Sequence, residues 1–350
     1  MPIGISNFVW YNIIKNKSQR KNSMKKLSKI LVFVLAIVVA LSAFVIASSA
    51  QSAPFLVEGL YRDSWEDAIA NAYIDGDRVV PVELLRDYEV GDGESIEITE
   101  SLVIDLNGYA LKSETGDPLF IVSGEDTELT IVGPGSITVA GTLVEVESGT
   151  LIIDASEELK ITSTDTDSVF VVGGYEKAYA TVKGALEFET AMGGNLFDLA
   201  YGAEFKLESG NSITADAAAG ATEAGGIFTV YADAMVNING GSLISNAGYI
   251  FAIGDDTDEY AKAVINCENA FLASESQLSG AIIEAEDAYA NVSIRLSEVL
   301  ASGGAFSAAD TLADFEGDGK DKVYAKPTTV VNFTASTYSV SDSANANACL

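Results

Sequence analysis

Histidine is absent from all 350 residues, and cysteine occurs only twice. Without an imidazole, no Ser-His or Cys-His nucleophile pair can be assembled, and no zinc constellation is spelled out. Positive charge is scarce: 20 Lys and Arg stand against 51 Asp and Glu, for a formal charge of −31. Such a surface repels nucleic acid and anionic membranes, and it opposes acidic polymers such as pectate unless cations bridge the two. Glutamine is also very sparse. No nucleotide-binding loop or wall-anchoring motif is present. With 48% hydrophobic content the chain can nevertheless bury a substantial core, which excludes disorder on composition.

What is present begins with an export pattern. Met24-Lys25-Lys26-Leu27-Ser28-Lys29 is a short basic segment, Ile30 to Ile46 is almost wholly apolar, and Ser48-Ser49-Ala50 fits a cleavage site. This reads as a secretory signal peptide, with residues 1–23 as an upstream start-site extension. A retained membrane anchor is the rival reading, since about 17 apolar residues is near the lower limit for a span. Cleavage removes seven basic residues and takes the formal charge to −38. The expectation is a secreted or cell-surface protein with no membrane contact after cleavage.

The body of the chain repeats one phrase: a large apolar pair, a variable residue, then another apolar residue. It reads Leu119-Phe120-Ile121-Val122, Leu143-Val144-Glu145-Val146, Val169-Phe170-Val171-Val172 and Leu196-Phe197-Asp198-Leu199. It continues as Ile227-Phe228-Thr229-Val230, Ile250-Phe251-Ala252-Ile253, Ile282-Ile283-Glu284-Ala285 and Ala305-Phe306-Ser307-Ala308. The starts lie 24, 26, 27, 31, 23, 32 and 23 residues apart. A period in the twenties with strand-like content predicts a solenoid in which each repeat is one coil. Alternation along a strand turns positions two and four inward and position three to solvent. Stacking then predicts an interior file of Phe120, Phe170, Phe197, Phe228 and Phe251, interrupted by Val144.

Two further β segments follow each phrase, for example Phe205-Lys206-Leu207 and then Ser212-Ile213-Thr214. Gly, Asn and Asp punctuate the gaps, as in Ser209-Gly210-Asn211 and Asn239-Gly240-Gly241. Three short strands per coil give an all-β, right-handed parallel β-helix, the hand following the usual crossover preference. Asp63 to Ala72 reads as an amphipathic helix with an Asp or Ser N-cap, placed to cover the open end of the first coil. Cys267 aligns with Ile238 of the preceding coil and is expected inside as a free thiol. Two excursions lengthen their coils: Ala215 to Gly226, rich in Ala and Gly, and the acidic Gly254 to Tyr260. They are the best places for a loop-borne site. The expected organisation is a signal peptide over 24–50, an N-terminal cap over 51–94, the β-helix over 95–310 and a C-terminal cover with a loose tail over 311–350.

Ser101-Leu102-Val103-Ile104-Asp105-Leu106-Asn107-Gly108 resembles the "LDLNG" coil of bacterial pectate-lyase-like β-helix proteins. The preceding helix, the Asp75-Gly76-Asp77 turn and Arg86-Asp87-Tyr88-Glu89-Val90 resemble that group's cap. Ser302-Gly303-Gly304-Ala305-Phe306-Ser307 is similar to a phrase found late in such chains. The resemblance runs from about residue 63 to 310 and implies architecture and an outside location, since many members have no assigned reaction. Of the catalytic sets the resemblance brings to mind, none is complete. The Gly-His-Gly segment of polygalacturonase-like members is missing. Asp255-Asp256 lacks its Asn-x-Asp and Arg-x-Lys partners, and Arg295, the one Arg within the coils, has no lyase motif around it. The paired Asp of esterases would sit among Gln residues that this chain hardly has.

Carboxylates gather at Asp255, Asp256, Asp258 and Glu259, and again at Glu316, Asp318 and Asp321. Both suit the oxygen-rich shell of Ca²⁺, but neither matches an EF-hand or a Gly-Gly-x-Gly-x-Asp nonapeptide. No other cofactor is implied. The sequence therefore predicts an exported, non-catalytic β-helix with a structural, adhesive or glycan-binding role at the bacterial cell surface, meeting carbohydrate or other surface proteins. A polysaccharide lyase or glycoside hydrolase is one alternative, and a self-assembling surface-layer or filament subunit is another.

Overall fold

In the computed structural model, the residues described are 53–74, 78–91, 95–114, 116–174, 176–253, 263–274, 282–285, 291–297, 299–303, 313–316, 322–325, 330–335 and 338–340. From residue 54 onward they build a parallel β-helix with three strands per coil. The first sheet stacks eight parallel strands. Ile96–Ile98 is followed by Phe120–Val122, Val144–Val146, Phe170–Val172, Phe197–Leu199, Gly225–Val230, Gly248–Ile253 and Ile283–Ala285. Seven of these strands carry the repeated phrase; the eighth phrase, Ala305 to Ala308, lies outside the described residues. Ile96–Ile98 lacks the aromatic residue and is an additional rung that the phrase does not announce.

Register is one-to-one along the whole sheet. Phe120 faces Val144, Val144 faces Phe170, and the file continues through Phe197, Phe228 and Phe251 to Ile283. All five Phe side chains are fully buried. Phe170, Phe197, Phe228 and Phe251 stack ring on ring at 5.2, 5.5 and 5.4 Å, with interplanar angles of 29°, 17° and 13°. Coil spacing near 4.8 Å forces like side chains into this offset stack, which adds about 0.5–1.5 kcal/mol per pair beyond burial. Phe205 leans in from the second sheet, 5.0 Å from Phe197 and 4.7 Å from Phe228.

The second sheet runs from Val82–Leu84 through Leu102–Asp105 and Glu128–Val132, then four long strands with Ala203–Glu208 in their midst, to Asn291–Ser297 and Val330–Ala335. The third runs alongside from Tyr88–Val90 to Tyr338–Val340. The strands Gly149–Ser163, Ala178–Thr190, Met235–Ser245 and Ala263–Ser274 belong to both sheets and bend at the corner between them. Gly184 shows why the corner needs glycine. Its φ is +79°, and a Cβ there would lie 2.1 Å from the Ala155 carbonyl oxygen. The Gly184 N–H donates instead to the Asn211 side chain at 2.9 Å.

Inward positions of both sheets are apolar as the alternation requires: Leu129, Ile131, Leu151, Ile153, Leu186, Phe188, Ile213 and Leu243 are all buried. Cys267 is a free thiol in register with Ile238, and burial pushes its pKa up to about 12. Hydroxyls recur at the last inward position of the third sheet, where the chain turns, as Ser113, Ser163, Thr190, Ser245 and Ser274. Ser163 donates to the Asp165 carbonyl at 3.0 Å, and Ser274 donates to the Gly248 carbonyl at 2.8 Å. These bonds satisfy backbone groups that the turn takes out of the ladder.

The open N-terminal end is covered. Phe55–Val57 pairs antiparallel with both Leu60–Arg62 and Val82–Leu84, so the first rung does not present a bare edge there. Helix α1, Trp65–Ala72, buries Trp65, Ala68, Ile69 and Ala72. Ser64 is its N-cap, accepting from the Asp67 N–H at 3.3 Å, while Glu66 and Asp67 stand at the positive end of the helix dipole. The Trp65 ring meets Phe55 at 4.3 Å and Phe120 edge-on at 5.5 Å, plugging the aromatic file. The adjoining Asp75-Gly76-Asp77 turn lies outside the described residues.

Candidate functional site

Of the acidic groups singled out in the sequence, only Glu316 lies among the described residues. Asp255, Asp256, Asp258, Glu259, Asp318 and Asp321 lie outside them. Glu316 ends the strand Ala313–Glu316, where its backbone pairs with Lys322. Among the described residues, no cluster of three or more Cys, Asp or Glu is arranged to hold a metal ion. No helix among them is long and apolar enough to cross a membrane.

Two other places stand out, both on the outside of the coils. One is the solvent side of the first sheet. Its third-position file reads Ile121, Glu145, Val171, Asp198, Thr229 and Ala252, each in register with the next. Alternation predicts all of these exposed, yet Thr229 and Ala252 are buried. The cause is Tyr249, which packs against Ala252 and lies over Gly226. A Cβ on Gly226 would sit 2.1 Å from the tyrosine ring, so glycine is what lets the ring lie flat. The Ala/Gly-rich excursion over 215–226 thus ends by seating an aromatic lid.

From that lid a hydrogen-bond chain crosses the coils. The Tyr249 hydroxyl donates to Asn195 Oδ1 at 2.8 Å, and Asn195 Nδ2 donates to Thr229 Oγ1 at 2.7 Å. Thr229 and Ser168 hydrogen-bond the Asp198 carboxyl, which is largely buried beside Val171 and has Oδ1 without a partner. Burial pushes this carboxyl above the ordinary carboxylate range; the two hydroxyls pull it back, and the charge of Asp167 adds to the rise. Desolvation is the largest of these effects.

The other place is the corner between the first and second sheets. A groove of about 960 Å³ opens there, lined by Glu125, Asp126, Gly174, Glu176, Lys177, Tyr179, Tyr201, Gly202 and Asp233. Its walls come from turns of several successive coils, tied by backbone bonds from the Gly174 N–H to the Tyr201 carbonyl at 3.1 Å and from the Gly149 N–H to the Lys177 carbonyl at 3.2 Å. Tyr201 is 46% exposed. Tyr179 stands on the second sheet in register with Thr150 and Glu204. Lys206, paired to Glu204 at 3.0 Å, holds its ammonium 6.0 Å from the Tyr179 ring centre. Further along the same sheet, Asn266 donates to Asn237 at 2.9 Å and Asn237 to Glu204 at 2.9 Å, a ladder of amides and carboxylates over a depression of about 330 Å³.

Sequence reading missed both places. Apart from Tyr179, the groove residues fall in turns, where no period applies, and the Asp198 chain joins residues as far as 54 positions apart. No family model matches this chain, and neither a curated protein nor a solved structure does. What the geometry supports chemically is recognition of a polar ligand by tyrosine rings and carboxylates on a stiff backbone, with one perturbed carboxyl set apart from it.

Proposed function

We propose that this chain is an exported, non-catalytic β-solenoid of the pectate-lyase-like type, serving an adhesive or glycan-binding role at the bacterial cell surface. The observation that carries the reading is the open groove with Tyr179 on a strand and Tyr201 on a turn of a stacked scaffold. Sugar rings pack their C–H faces on aromatic rings, while carboxylates and amides take up the hydroxyls, so a few placed polar groups fix orientation. The basic segment Met24 to Lys29 with its apolar run supports export, and the acidic composition supports solubility there. The test is retention of the purified protein on immobilised polysaccharides, with product release followed in parallel. Retention without turnover agrees with the reading, and depolymerisation at enzymatic rates sinks it.

A second reading, a glycan-active enzyme with an unfamiliar acid pair, is favoured by Asp198 alone. A carboxyl whose pKa is raised by burial, beside a second acid, Asp167, is the arrangement a general acid requires. If any polysaccharide is cleaved, Asp198→Asn should abolish the cleavage; unchanged turnover in that variant removes the reading.

A further inference from the structure

The groove has a charge as well as a shape. Four carboxylates, Glu125, Asp126, Glu176 and Asp233, line it against the ammonium of Lys177, while the ammonium of Lys206 beside Tyr179 is paired to Glu204. They stand beside Tyr179 and the half-exposed Tyr201. Its walls reach from the coil of Phe120 to the coil of Phe228, four rungs of about 4.8 Å each, or roughly 19 Å. That length suits an extended chain better than a single small molecule. An acidic saccharide would meet four carboxylates and only one lining ammonium, whereas one carrying ammonium groups would neutralise the excess while stacking its rings on the tyrosines. The molecule already makes such a contact with its own Lys206 above Tyr179.

Resting on the glycan-binding reading above, we infer that the groove between the first and second sheets takes a cationic saccharide, a run of deacetylated amino sugars. The carboxylates act locally, because at physiological salt a charge is screened beyond about 8 Å. Specificity therefore comes from ammonium groups seated within the groove and not from the field of the whole acidic surface.

The test is calorimetric titration of the purified protein at a pH where sugar amines are protonated. The probes are glucosamine hexamer, its fully N-acetylated counterpart, galacturonic acid hexamer and hexalysine. The expected result is binding of glucosamine hexamer at least tenfold tighter than any of the other three, weakening as salt rises. Tyr201→Ala and Asp233→Asn should each weaken it about tenfold or more while circular dichroism stays unchanged. Equal binding of the N-acetylated hexamer overturns the cationic inference and leaves glycan binding standing. Equal binding of hexalysine shows that the rings contribute nothing and overturns it as well. Glucosamine binding that ignores both substitutions moves the site out of the groove. No binding of any saccharide overturns this inference and the glycan reading together.

Discussion

The two sides of the first sheet share the same strands and obey different rules. Inside, each rung repeats its neighbour: Phe170, Phe197, Phe228 and Phe251 lie ring on ring, fully buried. Outside, no two adjacent rungs agree, and the file passes from Glu145 through Val171, Asp198 and Thr229 to Ala252. Stacking at a fixed rise demands likeness where side chains must fill a shared interior. Solvent makes no such demand, so the outer side is free to vary and to carry whatever is particular to this molecule. The aromatic lid and the unpartnered Asp198 oxygen both sit on that freer side.

Breaking the inner file should cost most. Phe197→Ala removes a ring stacked on both sides and touched by Phe205, and it should lose about 3–5 kcal/mol in denaturant unfolding. A loss near that of a surface substitution would mean that the file is not the core. On the outer side, Gly226→Ala should displace Tyr249 and cost about 1–3 kcal/mol, with increased solvent quenching of tyrosine fluorescence. Unchanged stability and quenching would show that the ring does not lie on the glycine. Tyr249→Phe keeps the lid and deletes one hydrogen bond to Asn195, for an expected loss of about 0.5–1.5 kcal/mol.

Asp198 gives the smallest effect and the sharpest one in pH. Its folded pKa is raised above the unfolded value of about 3.9, so the folded state binds the proton more tightly. The group's stabilising contribution is present below the unfolded pKa and is lost as pH rises through the folded one. Asp198→Asn should flatten stability against pH over that window and raise stability at neutral pH. A variant as pH-dependent as the parent would show that the carboxyl is not desolvated.

The inner side of the sheet was legible in the sequence because its rule is periodic. The phrase from Leu119 onward announced the Phe file and its Val144 interruption, and aligning the segments that follow it placed Cys267 over Ile238. Ile96–Ile98 was not legible as a rung, since it keeps the alternation but has Ser95 where the other described rungs have a large apolar residue. Ser64 could be read as one of two candidate caps because capping is local chemistry, and the Asp67 N–H settles which one. The outer site was hidden for the opposite reason. Asn195, Asp198, Thr229 and Tyr249 meet only after coils of unequal length have closed, and a single glycine decides whether Tyr249 can lie down. The groove is similar, being made mostly of turn residues whose neighbours in space are a whole coil away in the chain.

The central claim is that residues one coil apart stand directly over one another, and paired cysteines on the outer file test it most directly. Ile121 and Glu145 are register partners on adjacent strands, at a spacing of about 4.8 Å that falls within disulfide reach. In a Cys349→Ser background, Ile121→Cys with Glu145→Cys should cross-link completely under mild oxidation, and Ile121→Cys with Glu147→Cys should not. Efficient cross-linking of the second pair in preference to the first would contradict the stacking on which the account stands.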